Sequence, residues 1–116
     1  MTENVIDRAV FDSLKDSVGD DFIGELVETF GEEAPSMIGN LRQALSAHDA
    51  DTFRREAHSM KTNAATFGAT SLAELAKTLE QLARENQLNL VGNQLELFES
   101  SYQEAYKALE ILSNDK

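Results

Sequence analysis

The chain has 116 residues, 41% of them hydrophobic and 27% charged, with no cysteine. That suits one domain able to bury about two-thirds of its surface, and it excludes disulfides and thiolate metal sites. Ten Lys and Arg against 21 Asp and Glu set the formal charge at −11, a field that repels nucleic acid and anionic membrane.

No apolar run approaches the ~20 residues of a membrane span, and Met1-Thr2-Glu3-Asn4 lacks the basic-then-apolar form of a signal peptide. The expectation is one cytoplasmic domain over residues 1–116. Apolar residues recur at helical spacing almost throughout. Ile6, Val10 and Leu14 mark a short first helix, with Asp7 as its cap and Ile6 and Phe11 as a hydrophobic staple. Gly19 and Asp20 interrupt. A second helix follows with Phe22, Leu26, Phe30, Ala34, Met37, Leu41 and Leu45 inward. Pro35 cannot donate to the carbonyl of Gly31, which predicts a kink or break over 31–35.

His48 to Asp51 form the next connector, and either Asp49 or Asp51 can cap a third helix of about 50–67. Its inward residues are Phe53, Ala57, Met60, Ala64 and Phe67, and Gly68 ends it. Ser71 and Glu74 read as a capping box for a fourth helix with Leu72, Leu75, Leu79 and Leu82 as its seam. Asn86 to Asn89 break the pattern. The last helix is the most regular, through Val91, Leu95, Phe98, Tyr102, Ala105, Leu109 and Leu112. Alternating strand patterns are absent, and Ala, Leu, Glu, Gln and Lys dominate where strands favour Val, Ile and Thr. The predicted fold is all-α: an antiparallel up-down four-helix bundle with a short additional N-terminal helix.

One position asks for chemistry. On a helical wheel the inward residues of the third helix span about 80°, and His58 points roughly 140° from their mean, toward solvent or a partner. Its i±3 and i±4 neighbours are Arg54, Arg55, Lys61 and Thr62, with small Ala65 one turn further. Three of ten basic residues thus surround one histidine of a strongly acidic chain, a setting that favours an anion on the imidazole. His48, in a connector beside Asp49, reads as a solvated loop residue.

The segment Ala57-His58-Ser59-Met60-Lys61-Thr62-Asn63-Ala64-Ala65-Thr66-Phe67-Gly68-Ala69 is followed by Leu72-Ala73-Glu74-Leu75-Ala76 and Leu79-Glu80. Together these resemble the histidine phosphotransfer (HPt) domains of two-component phosphorelays. That family carries an alanine-histidine pair, an apolar residue, lysine and usually glycine. A run of small residues, a second glycine and a leucine-rich helix closing in leucine-glutamate or leucine-glutamine complete its pattern. Ile6-Asp7, Val18-Gly19-Asp20-Asp21-Phe22, Glu25-Leu26, Phe30, Glu32-Glu33-Ala34-Pro35, Ala44-Leu45 and Asp49 resemble its N-terminal helices. Thr62 stands where glycine is usual, and Asn63 where serine or alanine is common.

The resemblance implies that His58 is the phosphorylated nucleophile, that Lys61 lies beside the phosphoryl group and that Glu80 orients the imidazole. It places Gly68 where the helix end meets its neighbour and Arg84 one turn beyond Glu80. Thr62, Ala65, Arg54, Arg55, Gly68 and Arg84, with Ala76, are then expected around the partner-binding face. The implied function is a reversible phosphoryl carrier between receiver aspartates, without kinase or ATPase activity of its own. Its partners would be response-regulator receiver domains and a sensor or hybrid kinase. The chain would be a monomer with no cofactor or metal, the magnesium belonging to the receiver. The opening Met1 and the extent of the resemblance favour a free-standing carrier over the phosphoacceptor domain of a chemotaxis-type or hybrid kinase. A non-phosphorylated helical adaptor is disfavoured because both His58 and Lys61 are present. A metal-binding bundle is disfavoured because it would need ligands converging in the core.

Overall fold

The computed structural model describes residues 5–114; Met1 to Asn4 lie outside the described residues. Five α-helices follow one another: α1 (Arg8–Val18), α2 (Asp20–Ser46), α3 (Ala50–Thr66), α4 (Thr70–Arg84) and α5 (Gln94–Asn114). A 3₁₀ turn, Leu88–Leu90, precedes α5, and the described residues contain no strand. Helices α2 to α5 each pack on two neighbours in a closed ring, while α1 lies across α2 and α3. The expected bundle with its extra N-terminal helix is what the chain builds, in a body of 45 × 23 × 19 Å.

The caps follow from short side chains at helix starts. Asp7 Oδ1 accepts from the amides of Ala9 and Val10 at 3.1 and 3.4 Å, and Ile6 and Phe11 are both buried, as a staple requires. Val10 does not join them; it is 38% exposed, and Phe11 takes the inward position. Of the two candidate caps for α3, Asp49 does the work. It accepts from Thr52 through the amide (3.2 Å) and the hydroxyl (2.7 Å). Those bonds, the hydroxyl's foremost, hold its carboxyl below the ordinary aspartate range.

Sequence expectations need correction in three places: the start and inward stripe of α2, its course at Pro35, and the start of α4. The interruption between the first two helices is Gly19 alone, at φ +94°, a conformation open mainly to glycine, and Asp20 already belongs to α2. The inward stripe of α2 runs through Ile23, Val27, Phe30, Ala34, Ile38, Leu41 and Ala44. Phe22 is 47% exposed, while Leu26, Met37 and Leu45 flank the stripe half-buried. The apolar arc of α2 is wide; Phe30, Ala34 and Leu41 lie in its centre, and packing against α3 and α5 decides which of the flanking positions are buried.

The second concerns Pro35, where the break does not form. Helix α2 continues through the proline. Proline leaves the Gly31 carbonyl without its helical donor, and the Tyr102 hydroxyl of α5 donates to that oxygen at 3.5 Å. Gly31 also has no side chain to hold the Tyr106 ring away, so α5 comes close at the same level. Burial pushes the Tyr102 hydroxyl up to about 12, keeping it a donor.

Third, Ser71 and Glu74 form no capping box; α4 starts at Thr70 behind Ala69, which offers no side-chain cap. Ala69 is fully buried, so apolar packing occupies the position where a polar cap would sit. Gly68 and Ala69 instead donate to the carbonyls of Ala65 and Ala64 at 3.1 and 2.9 Å, a Schellman motif that closes α3. Asn86 and Gln87 repeat the same pattern on Ala83 and Leu82 at the end of α4, with Asn86 at φ +57°. Inside the ring, Phe30 meets Phe67 and Tyr102 with centroids 5.2 and 5.5 Å apart, and Leu79, Leu95, Phe98 and Leu109 fill the remainder.

Candidate functional site

Helix α3 turns Phe53, Ala57, Met60 and Ala64 fully inward. This fixes its rotation, and the His58 side chain stands 56% exposed midway along it. Helix α4 buries Leu72, Ala76, Leu79 and Ala83 against its neighbours. Glu80 follows Leu79 on the same arc, so its carboxylate is carried into the groove beside α3, with only 5% of the side chain exposed.

Three groups converge on that carboxylate. His58 Nδ1 lies 2.8 Å from Oε2, Arg84 Nη2 lies 3.0 Å from the same oxygen, and Lys61 Nζ lies 2.7 Å from Oε1. Burial alone would raise the Glu80 pKa; hydrogen bonds from Lys61 and His58, aided by the Lys61 charge, outweigh it and hold the carboxyl below the ordinary glutamate value. Glu80 is therefore an anion at neutral pH. An ionised carboxylate only accepts, so the hydrogen of a neutral His58 ring resides on Nδ1. The lone pair is left on Nε2. The site thus presents a half-exposed imidazole with its tautomer fixed by Glu80, and two cations on the same carboxylate.

The expected neighbours divide. Thr62 and Ala65 are exposed on the His58 side of α3, and the Thr62 hydroxyl turns back to donate to the His58 carbonyl at 3.1 Å. Arg54 and Arg55 do not reach the Glu80 cluster; both pair with Asp51, at 3.0 and 3.1 Å. Gly68 and Ala76 are buried, which takes them off any partner-binding surface. Gly68 at φ +80° accepts the Asp7 amide at 2.7 Å, and a Cβ there would fall 2.7 Å from the Asp7 carbonyl oxygen. Its missing side chain serves the chain's own packing. The direct Arg84–Glu80 bond was not anticipated, although their i,i+4 spacing in one helix carries that signal. Among the described residues, no group of three or more His, Cys, Asp or Glu is placed to hold a metal ion. No helix among them is long and apolar enough to cross a membrane.

The model of the Hpt domain matches residues 25–110, a span that contains the whole cluster. The chain belongs to the Hpt family. A phosphorelay protein of Vibrio harveyi, LuxU, is 29% identical over 92 residues, covering 79% of this chain and 81% of LuxU. The crystal structure of histidine-containing phosphotransfer protein B (HptB) from Pseudomonas aeruginosa PAO1 superposes with a TM-score of 0.76 at 30% identity, covering 94% of this chain and 90% of HptB. Histidine phosphotransfer within a phosphorelay is accordingly the function of this Hpt chain, and kinases and response regulators are the general class of its partners.

Proposed function

We propose that the phosphoryl group is carried on Nε2 of His58. The observation that carries this reading is the 2.8 Å contact between Nδ1 and Glu80, which leaves Nε2 as the free, outward lone pair. In the forward step that lone pair attacks the phosphorus of a receiver's phospho-aspartate. An N–P bond forms, the P–O bond to the aspartyl oxygen breaks, and the receiver keeps its carboxylate. The ring retains its Nδ1 hydrogen and becomes a phosphoimidazolium, whose positive charge faces the Glu80 anion. Attack by the next receiver's carboxylate reverses each bond change and returns the electron pair to Nε2. No proton need leave the ring in either direction.

Transfer of this kind rests on positioning and charge neutralisation. Glu80 supplies the first by holding the imidazole, and Lys61, one turn from His58, supplies the second to the phosphoryl oxygens. Thr62 and Ala65 belong to the face on which a receiver docks. Arg54 and Arg55, 36% and 65% exposed, can exchange Asp51 for acidic groups of a receiver at its edge. The residues around His58 include no nucleotide-binding loop, and this reading gives the chain no kinase or ATPase activity; magnesium arrives with the receiver's own acidic site. The protein acts as a cytoplasmic monomer.

The test is to mix the purified chain with a panel of phosphorylated receivers and look for acid-labile, base-stable phosphate. Labelling should vanish in His58→Gln and persist in His48→Gln, since His48 is an exposed turn residue at φ +56°. Labelling of His58→Gln at the wild-type level would refute the assignment.

A further inference from the structure

Charge counting around Glu80 assigns a role to Arg84. The carboxylate brings one negative charge, Lys61 and Arg84 one positive charge each, and the neutral ring none, so the unloaded cluster stands at +1. Transfer from an acyl phosphate leaves one negative charge on the donor carboxylate and delivers one net negative charge to the histidine. The loaded cluster is then neutral. Without Arg84 it would be at −1, around a carboxylate whose side chain is only 5% exposed, where an unbalanced charge is costly.

The geometry also shows which cation can move. Lys61 holds Oε1 alone, whereas His58 and Arg84 share Oε2. Lys61 is a flexible ammonium one turn from His58 on the same helix, and the His58 side chain is 56% exposed with Nδ1 held on Glu80. Arg84 is anchored from α4, one turn beyond Glu80, and reaches it with a planar guanidinium suited to carboxylates.

We propose that Arg84 is a positioning residue that keeps Glu80 paired while Lys61 leaves Oε1 for the phosphoryl oxygens. The inference rests on His58 being the phosphorylated residue. In the unloaded protein Glu80 holds both cations, and Lys61 is parked. Loading draws Lys61 outward, and the guanidinium remains on Oε2 beside the ring's Nδ1–H. Arg84 therefore acts on the phosphorylated form more than on the resting one, and through Glu80, not by touching the phosphate.

The test compares wild type, Arg84→Met and Arg84→Lys, each loaded with phosphoramidate as a small donor so that no receiver contact enters. Arg84 is 58% exposed and methionine is a good helix former, so the variants should fold. Two readouts are taken on the loaded proteins: the phosphohistidine lifetime, and the ¹⁵N resonance of Lys61 Nζ before and after loading. In wild type the Nζ resonance should shift on loading. In Arg84→Met that shift should shrink, and the lifetime should fall about five- to tenfold, the lower range for a partly exposed charge-assisted contact. Arg84→Lys, which preserves the charge beside Glu80, should recover most of both. Wild-type behaviour of Arg84→Met in both readouts would overturn the proposal, as would an unchanged lifetime alone, whatever the Nζ resonance does. A wild-type protein that takes no phosphate on His58 would instead sink the functional reading, and this inference with it.

Discussion

Glu80 lies 22 positions beyond His58 in the chain, yet its Oε2 atom is 2.8 Å from the imidazole Nδ1. The pairing is made possible by the side-by-side packing of α3 and α4, which bury small residues, Ala57 and Ala64 on one and Ala76 and Ala83 on the other. Orientation and charge are separable here. Glu80→Gln retains an oxygen that can accept Nδ1–H, whereas Glu80→Ala removes it. At saturating receiver, Glu80→Ala should slow transfer ~10–100-fold, the range typical when a carboxylate orienting a functional histidine is removed. Glu80→Gln should lose less. Equal losses would mean that the negative charge, and not the tautomer, is what the reaction uses.

Acid should expose the same group. Because the folded pKa of Glu80 is lowered from the ordinary 4.5, its contribution to stability is complete above that pH and is lost as pH falls through the lower folded value. Thermal midpoints of wild type should fall more steeply below pH 4.5 than those of Glu80→Gln. Parallel curves would show that Glu80 adds no acid-sensitive stability.

Gly68 tests the division between packing and partner contact. Gly68→Ala must adopt φ +80° with its Cβ 2.7 Å from the Asp7 carbonyl oxygen and 3.1 Å from Val10 Cβ. The backbone conformation alone costs about 1–2 kcal/mol, and the contact adds to it. Denaturant unfolding should therefore give a loss of about 2 kcal/mol or more, while the fraction still folded accepts phosphate normally. A stable Gly68→Ala that fails only with receivers would return this residue to the docking surface.

Much of this was legible in the sequence because it depended on local rules. Helix number and order followed from apolar spacing, Asp7 and Asp49 from capping chemistry, and the outward aim of His58 from the phase of Phe53, Ala57, Met60 and Ala64. What escaped depended on partners distant in sequence. Along α2 at Pro35, the freed Gly31 carbonyl is met by a hydroxyl 71 positions from Gly31, at Tyr102. Ala76 looked like a small surface residue and Ser71 like a cap, because nothing local shows that α4 is rotated to bury the one and begins before the other. Asp51 draws off Arg54 and Arg55, a competition that the number of positive charges around His58 does not reveal.

Thr62 probes the docking face. It is exposed, one turn from His58, with its hydroxyl folded onto the His58 carbonyl and away from any partner. Thr62→Trp should leave thermal stability within about 0.5 kcal/mol, as surface changes usually do. It should still load from phosphoramidate but lose transfer from phosphorylated receivers. Retention of receiver transfer at the wild-type rate would place docking elsewhere.

With Glu80 on Nδ1, Nε2 is the nitrogen proposed to take the phosphoryl group. Uniformly ¹⁵N-labelled protein, loaded by its receiver and observed by ³¹P–¹⁵N correlation, measures this directly. A one-bond coupling from phosphorus to Nε2 of His58 is expected, with Nδ1 still protonated. Coupling to Nδ1, or to any nitrogen outside His58, would contradict the assignment.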